Sequence, residues 1–190
     1  RNEATLGDLG EEKQIQLKLK LIADVGLVGF PNAGKSTFIS RVSNAKSKIA
    51  PYPFTTKSPI LGVIQYEDGD AKVLADIPGL IEGASEGRGL GIEFLKHAER
   101  TKVLLHVIDF AATDGRDPIS DYRSINEELA AYAPKLAEKE QSIAANKMDV
   151  PEAKELLKKF KKVVKKEIFP ISAATGEGVP ALLKRLRSLK

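Results

Sequence analysis

The sequence predicts an α/β fold in which a mostly parallel, six-stranded sheet carries one antiparallel edge hairpin and has helices on both faces. Apolar, strand-like runs alternate along the chain with helical patterns, and this alternation is typical of parallel strands joined by crossover helices. One pair of strand-like runs departs from it, because only Glu67-Asp68-Gly69-Asp70 separates them. So short a connection cannot cross over and therefore predicts the hairpin.

The individual elements follow from the same patterns. Strands are predicted at the apolar runs 22–28, 60–65, 71–75, 103–108, 142–145 and 167–171. Helices are predicted at 35–43, 90–99, 118–132, 151–162 and 179–189. Pro118 and Pro151 support two of the helix starts, since proline fits the first helical turn, where its missing N–H removes no hydrogen bond. Residues 15–21 alternate apolar and polar side chains, which predicts a half-exposed strand leading into the first buried one.

Composition excludes several classes of protein. With 42% hydrophobic and 29% charged residues, the 190-residue chain can bury an ordinary core, and its net charge of +4 is mild. The absence of cysteine excludes disulfides, thiolate zinc sites and a cysteine nucleophile, and fits a reducing compartment. Asp24 and Asp109 interrupt the longest apolar runs well short of the roughly 18 residues that span a membrane. We therefore expect a cytoplasmic domain without membrane contact.

The strongest motif lies between the first buried strand and the first helix. It fits the pattern G-x-x-x-x-G-K-[ST] and consists of Gly29, Phe30, Pro31, Asn32, Ala33, Gly34, Lys35 and Ser36. In such a P-loop, backbone N–H groups and the helix N-terminus surround a phosphate, the lysine reaches the outer phosphates, and the serine hydroxyl binds Mg²⁺. The alternative is a glycine-rich turn that matches by chance, but the strand and helix on either side favour a P-loop NTPase.

A second motif directly follows the predicted strand at 71–75. It consists of Asp76, Ile77, Pro78 and Gly79. A carboxylate that leaves a strand beside the P-loop can reach Mg²⁺ through water, and a glycine N–H three residues later can bond a terminal phosphate. The D-x-x-G pattern is weak alone and is strengthened by its place about forty residues after Lys35.

Two further segments predict that the base is guanine. They consist of Asn146, Lys147, Met148 and Asp149, and of Ser172, Ala173 and Ala174. The Asp149 carboxylate can accept two hydrogen bonds from guanine, whereas adenine has no amine at C2 and an acceptor at N1. The backbone amides of 172–174 can face the guanine carbonyl oxygen. Without the P-loop, an N-K-x-D turn that caps a helix would be the better interpretation.

A threonine-containing loop between the first helix and the hairpin is the candidate first switch. Within it, the predicted nucleotide contacts are Phe54, Thr55, Thr56, Lys57 and Ser58. A threonine hydroxyl here can complete the Mg²⁺ shell while a γ-phosphate is present, and we favour Thr56. The predicted metal ligands are thus Ser36 and Thr56.

Two other features favour structural explanations. His97 and His106 have no carboxylate or second histidine at ligand spacing, so neither is expected to bind metal or act as a base. The lysines between Lys154 and Lys166 alternate with apolar residues, which usually indicates a solvated helix face over a core stripe. RNA contact is the less favoured alternative.

The motifs together resemble a Ras-like G domain of the translation-factor-related class, and within that class the Obg family of GTPases. The tract 76–89 is similar throughout to the Obg signature, and the segment 2–29 resembles the junction between an N-terminal Obg domain and its GTPase domain. Since the chain opens at Arg1 without methionine, we expect residues 1–20 to be the tail of that preceding domain and residues 21–190 to form the GTPase domain. The N-terminal junction favours the bacterial type.

This resemblance implies a function. It implies Mg²⁺-dependent binding of GTP and GDP, slow hydrolysis of GTP, and a role in assembly of the large ribosomal subunit and in growth or stress control. It implies nucleotide contacts throughout the motifs named above, with Lys35, Thr56 and Gly79 as the catalytic candidates. The ribosome is expected to be bound mainly through the missing domains, and the chain to be a monomer.

The catalytic machinery departs from that of signalling GTPases at one position. Leu80 follows the D-x-x-G glycine, where those enzymes place a water-orienting glutamine. By family resemblance, Asn32 is a candidate ligand for a K⁺ ion, with a hydrogen bond inside the loop or to the first switch as the equal alternative. Two other functions remain open: a guanine-nucleotide sensor that does not hydrolyse GTP, and a P-loop kinase, which is weaker because no acceptor-binding lid is evident.

Overall fold

The computed structural model describes residues 10–15, 23–43, 48–49, 60–77 and 97–189. Within these ranges the sheet has seven strands, β1 to β7 in chain order, which are Ala23–Val28, Lys48–Ile49, Ile60–Gln65, Ala71–Asp76, Thr101–Asp109, Gln141–Asn146 and Ile168–Pro170. The helices α1 to α5 are Lys35–Val42, Pro118–Tyr132, Pro134–Ala137, Ala153–Val163 and Val179–Ser188. Residues 97–99 are also helical.

The sheet order β2-β3-β4-β1-β5-β6-β7 confirms the predicted α/β class. β4, β1, β5, β6 and β7 are mutually parallel, and β3 pairs antiparallel with β4 to form the predicted hairpin. The predicted number of six strands is wrong by one among the described residues. The added strand, β2, pairs antiparallel with the outer edge of β3 over only two residues, which is too short to produce a periodic pattern.

Helix boundaries follow local chemistry. α2 begins and ends at the predicted residues, because the Asp117 side chain accepts a hydrogen bond from the Ser120 N–H and Pro118 occupies the first turn. α4 begins at Ala153, two residues after the predicted start at Pro151, since 151–152 form a turn. The four-residue helix α3 was not predicted. Most of the predicted strand at 15–21 lies outside the described residues, and Ile15, which is described, is not in a strand. The start of the predicted helix at 90–99 also lies outside the described residues.

The core has two sides because alternate residues of β5 face opposite ways. Val103, Leu105 and Val107 pack in one cluster with α1 and α5. Leu104 packs on the other side with α2, while Ile108 packs there with α4. Period-two alternation in a strand that is buried on both faces gives this arrangement. The helices therefore cover both faces of the sheet, as predicted.

The parallel register brings the predicted motifs to one edge of the sheet. β1 lies between β4 and β5, with Leu27 beside Asp76. β5 and β6 end together, with Asp109 beside Asn146. The carboxyl ends of parallel strands form the usual ligand-binding edge of an open α/β sheet. The P-loop motif, Asp76 and Asn146 all leave the sheet at that edge.

Candidate functional site

The loop after β1 turns sharply and then enters α1. Asn32 and Gly34 adopt positive φ angles of 61° and 94°, a region that glycine and asparagine tolerate better than other residues. A Cβ atom on Gly34 would also collide with the Nδ2 atom of Asn146. Gly34 is therefore required both by its conformation and by the close approach of β6.

Lys35 places a charge at the centre of this loop. Its ammonium donates to the carbonyl oxygens of Gly29 at 2.9 Å and Phe30 at 3.0 Å. The residue is only 8% exposed. Burial lowers the pKa of Lys35, and the negative charge of Asp76 opposes that shift. The ammonium is thus a partly desolvated cation, which interacts with an anion more strongly than a solvated one.

Ser36 and Asp76 form the second part of the site. The Ser36 hydroxyl donates to Oδ2 of Asp76 at 2.8 Å. Oδ1 of Asp76 is buried and has no hydrogen-bond partner among the described residues. A buried carboxylate oxygen without a partner is costly, and hydroxyl and carboxylate oxygens are the ligands that Mg²⁺ prefers. The pair therefore fits a divalent cation.

Asn146 connects two segments that are far apart in the sequence. Its Nδ2 donates to the carbonyl oxygen of Ala33 at 2.7 Å, and its Oδ1 accepts from the N–H of Ala173 at 2.9 Å. Asn146 is 2% exposed. Each half of the buried amide thus satisfies one backbone group, as buried polar groups require.

Lys147 reaches across the end of β5. Its ammonium bonds Oδ2 of Asp109 at 2.8 Å and the hydroxyl of Thr113 at 2.9 Å. Burial by itself raises the pKa of Asp109, but hydrogen bonds from Lys147, Thr113 and the Ala111 N–H outweigh it and hold the pKa below its usual value. Asp109 is therefore a carboxylate that positions Lys147.

The segment after β7 is held from the opposite side by α1. The Arg41 guanidinium donates through Nε to the carbonyl oxygen of Ala173 at 2.5 Å and through a terminal nitrogen to that of Ala174. Within the segment, the Thr175 N–H donates to the Ser172 hydroxyl at 3.1 Å. The Ala173 peptide units are thus fixed on both sides, by Asn146 at the N–H and by Arg41 at the carbonyl.

The loop between β5 and α2 contacts two variable positions of the P-loop motif. The Nδ2 of Asn32 donates to Oδ2 of Asp114 at 3.3 Å. The Arg116 guanidinium lies 3.7 Å from the centre of the Phe30 ring and pairs with Asp121 at 2.8 Å. Such a stacked cation contributes about 0.5–2 kcal/mol, more when it is desolvated. This loop therefore braces the outer side of the P-loop motif.

The structure brings together Gly29 to Ser36, Asp76, Asn146, Lys147 and the segment 172–174. Asp149 follows them and is exposed. Phe54, Thr55, Thr56, Lys57 and Ser58 lie outside the described residues, as do Pro78 and Gly79. In the part of the chain that is described, no three His, Asp or Glu side chains form a metal cluster, and no helix is long and apolar enough to cross a bilayer.

Comparison with known proteins decides the family. Residues 24–147 match the family described as 50S ribosome-binding GTPases. The chain belongs to this family. Among curated members, it is 54% identical over 189 residues to GTPase Obg of Caldicellulosiruptor saccharolyticus, a match that covers 98% of this chain and 44% of that relative. The predicted resemblance to the Obg family is confirmed, and the chain spans less than half the length of this relative.

Solved structures confirm the G-domain fold of the family. The G domain of the T. maritima FeoB iron transporter aligns with a TM-score of 0.64 at 24% identity, over 87% of this chain and 96% of that one. Aquifex aeolicus Era, solved with GDP and AlF₄⁻, aligns with a TM-score of 0.63 at 27% identity, over 88% of this chain and 57% of that one. The predicted P-loop GTPase fold is therefore correct.

Several residues that shape the site lie outside the sequence motifs. Asp109 could have been found, because it ends a strand between two motif-bearing strands, where ligand-site residues of α/β sheets concentrate. Arg41 lies on an exposed face of α1, and Asp114 lies in a loop. Neither belongs to a motif, so only the tertiary structure identifies their contacts.

Proposed function

We propose that this chain is the GTPase domain of an Obg protein and acts as a Mg²⁺-dependent switch that binds GTP and hydrolyses it slowly to GDP and phosphate. The observation that carries the proposal is the double hydrogen bond of Asn146, which joins the P-loop at Ala33 to the segment 172–174 at Ala173. A ligand with phosphates at one end and a purine base at the other spans this pair of loops.

The phosphates are assigned to the P-loop and the cation to its neighbours. The backbone N–H groups of 29–36 and the start of α1 favour an anion, and Lys35 supplies charge to the outer phosphates. Ser36 and Thr56 would hold Mg²⁺, with Asp76 contributing through water and 77–79 lying near the terminal phosphate. When bound, Mg²⁺ offsets negative charge on the phosphates.

The base is assigned to the segments after β6 and β7. Asp149 accepts from the N1–H and amine of guanine. Within 172–174, the Ala174 N–H is assigned to the guanine carbonyl oxygen, because the N–H groups of Ser172 and Ala173 already donate to Glu177 and Asn146. Lys147 lies along the base through its aliphatic stem, and its bonds to Asp109 and Thr113 hold it in place. Phe54 to Ser58 and Met148 complete the proposed contacts.

Hydrolysis requires groups that stabilise charge on the γ-phosphate. Lys35, Thr56 and Gly79 are assigned this role, since the alkyl chain of Leu80 cannot orient water by hydrogen bonding. A K⁺ ion at Asn32 would add positive charge where negative charge develops. The Nδ2 atom of Asn32 bonds Asp114, which leaves the amide oxygen as the atom for such a cation.

The biological setting follows from the family and is proposed for the whole protein. We assign residues 1–20 to the tail of a preceding domain and 21–190 to the GTPase domain, in a cytoplasmic monomer that acts in assembly of the large ribosomal subunit and in growth or stress control. Support comes from the family's description as 50S ribosome-binding GTPases and from Era, which has been solved with MgGDPNP and nucleotides of 16S ribosomal RNA.

The test is phosphate release by the 190-residue chain under single-turnover conditions, together with a GDP-binding titration. We expect release above the buffer rate, and Lys35→Ala to lose GDP affinity while Lys184→Ala, on an exposed part of α5, keeps it. Tight binding of GDP and GTP without phosphate release would exclude hydrolysis and would favour the alternative function, a nucleotide sensor. Absence of nucleotide binding would exclude both.

A further inference from the structure

One segment of the chain carries a large excess of positive over negative charge. Residues 153–166, which comprise α4 and the three residues after it, contain seven lysines and one glutamate. The segment therefore carries a charge of +6, and because the whole chain carries +4, the remainder is at −2. A clustered positive surface on an otherwise slightly acidic domain is the electrostatic pattern of polyanion binding.

The lysines of this segment share an outer face. Ala153 and Phe160 are fully buried against the sheet and fix the inner side of α4. At about 100° per residue, Lys154, Lys158, Lys161 and Lys162 fall within one sector of about 100° that lies away from this buried side, and all four are exposed. We call these four residues the lysine face. From Lys154 to Lys162 it extends about 12 Å along the helix axis.

Nearby carboxylates do not neutralise the lysine face, although they do neutralise several other cationic groups of the domain. Lys102, Arg116, Lys147, Arg185 and Arg187 each pair with a carboxylate. Among the described residues, none of the four lysines of the face has a carboxylate within ion-pair distance. Instead, Lys158 lies three or four residues from each of the other three, and like charges at this spacing destabilise a helix by about 0.2–0.5 kcal/mol per pair. Local helix stability therefore does not explain the cluster.

We propose that the lysine face binds the phosphate backbone of double-helical RNA without regard to base sequence. Four exposed ammonium groups in a row supply phosphate contacts, which position a protein on a duplex but do not read bases. Single-stranded RNA is disfavoured because its binding surfaces use exposed aromatic side chains. Val163 is the one exposed large apolar side chain described in this segment.

A membrane surface is the less suitable partner. Amphipathic helices bind membranes by burying their apolar face in the lipid, but the apolar face of α4 is already buried against β5 and β6 through Phe160. The RNA surface extends the ribosomal role proposed above and is separate from the nucleotide site, so the two proposals are tested by different measurements.

The test is binding of the chain to a fluorescent RNA duplex of mixed sequence, measured as a function of salt. Each phosphate contact contributes roughly −0.9 to the slope of log K against log salt, so the four lysines predict a slope of about −3 to −4. The double variant Lys158→Gln/Lys161→Gln is expected to reduce that slope by about 2 and to weaken binding at least about tenfold at low salt.

The matched control is Lys135→Gln/Lys184→Gln, which removes the same charge from exposed positions on α3 and α5. It is expected to bind the duplex like the wild type, and both double variants are expected to keep GDP-induced thermal stabilisation. Equal weakening by the two double variants would overturn the proposal, as would failure of the wild type to bind the duplex at 50 mM salt. Sedimentation with phosphatidylserine vesicles that is lost in Lys158→Gln/Lys161→Gln would assign the face to membranes instead.

Discussion

The Nδ2 atom of Asn146 donates a hydrogen bond to the carbonyl oxygen of Ala33 at 2.7 Å, and so joins the end of β6 to the middle of the P-loop. The same side chain accepts from Ala173 through its oxygen. One buried residue therefore sets the distance between the loop assigned to the phosphates and the loop assigned to the base.

Asn146→Ala is expected to weaken GDP binding by at least about tenfold, because it removes both bonds and leaves two buried backbone groups without partners, at about 1–3 kcal/mol each. The same loss is expected to lower the free energy of unfolding. Titration calorimetry and urea unfolding measure the two effects. A GDP affinity within twofold of wild type would show that the two loops do not bind one ligand.

Asp149→Asn tests the identity of the base. Loss of two charge-assisted hydrogen bonds is expected to weaken GTP binding by about 2–4 kcal/mol. Preference is expected to shift toward xanthosine nucleotides, because asparagine can donate to the C2 carbonyl of xanthine. Competition with labelled nucleotides gives both affinities, and Asp70→Asn, an exposed aspartate in the hairpin turn, serves as the control. Unchanged GTP affinity would show that Asp149 does not contact the base.

Arg41→Met tests whether α1 stabilises the base loop. The guanidinium bonds the carbonyl oxygens of Ala173 and Ala174, and charge-assisted bonds of this kind contribute about 1.5–3 kcal/mol. We expect GDP to dissociate at least about tenfold faster from the variant, as followed by stopped-flow fluorescence of a labelled GDP. Ser40→Ala, the exposed neighbour on α1, is expected to keep the wild-type rate. Equal rates in all three proteins would limit Arg41 to a surface contact.

The variant Asn32→Ala tests whether a K⁺ ion binds at the P-loop. GTP hydrolysis is expected to be faster in K⁺ than in Na⁺ at matched ionic strength, because a bound cation stabilises charge that develops on the phosphates. Asn32→Ala is expected to abolish that difference while GDP binding survives. Equal single-turnover rates of the wild type in the two salts would instead limit Asn32 to its hydrogen bond with Asp114.

His106 is expected to make stability depend on pH. Burial, with the positive charges of Lys166 and Lys35 adding to it, lowers the pKa of His106 from 6.5 to about 3. Below pH 6.5 the unfolded chain takes up a proton that the folded chain does not, so the free energy of unfolding falls by about 1.4 kcal/mol per pH unit as pH decreases toward 3.

The variant His106→Phe isolates this contribution. Both ring nitrogens of His106 are buried without hydrogen-bond partners among the described residues, and the ring stacks on Tyr122 at 5.7 Å, so a phenyl ring can replace it. Urea unfolding at pH 7 and pH 5 is expected to show a wild-type loss about 2 kcal/mol larger than that of the variant. Equal losses would mean that His106 becomes protonated in the folded state.

The sequence predicts the fold well wherever an element has its own periodic pattern or cap. α2 agrees at both ends because Asp117 and Pro118 define its start, and β3 agrees because its residues form a clear hairpin arm. The two-residue strand β2 and the four-residue helix α3 have no such signal. Their formation depends on the neighbouring strand β3 and on the proline that follows α2.

The residues of the candidate site also fall into two groups, those that a sequence pattern predicts and those that no pattern predicts. The motif residues Lys35, Ser36, Asp76 and Asn146 were predicted, because each motif directly follows a strand and parallel strands end at one edge. The contacts of Arg41 and Asp114 were not predicted. They join positions 132 and 82 residues apart in the chain, and an exposed helix residue or a loop aspartate gives no pattern that specifies a partner.

The two ends of the hairpin differ in their distance from the nucleotide site, and the turn is the end that is suited to chemical labelling. Asp76 ends β4 at the site, whereas the turn at 67–70 lies at the opposite end of the same six-residue strand, about 20 Å away. A Cβ atom on Gly69 would meet nothing within 4 Å, but its φ of 89° favours glycine, so the attachment point is an exposed neighbour such as Glu67. A small fluorophore or an affinity tag attached at this turn would report on the protein from a distance without entering the nucleotide site.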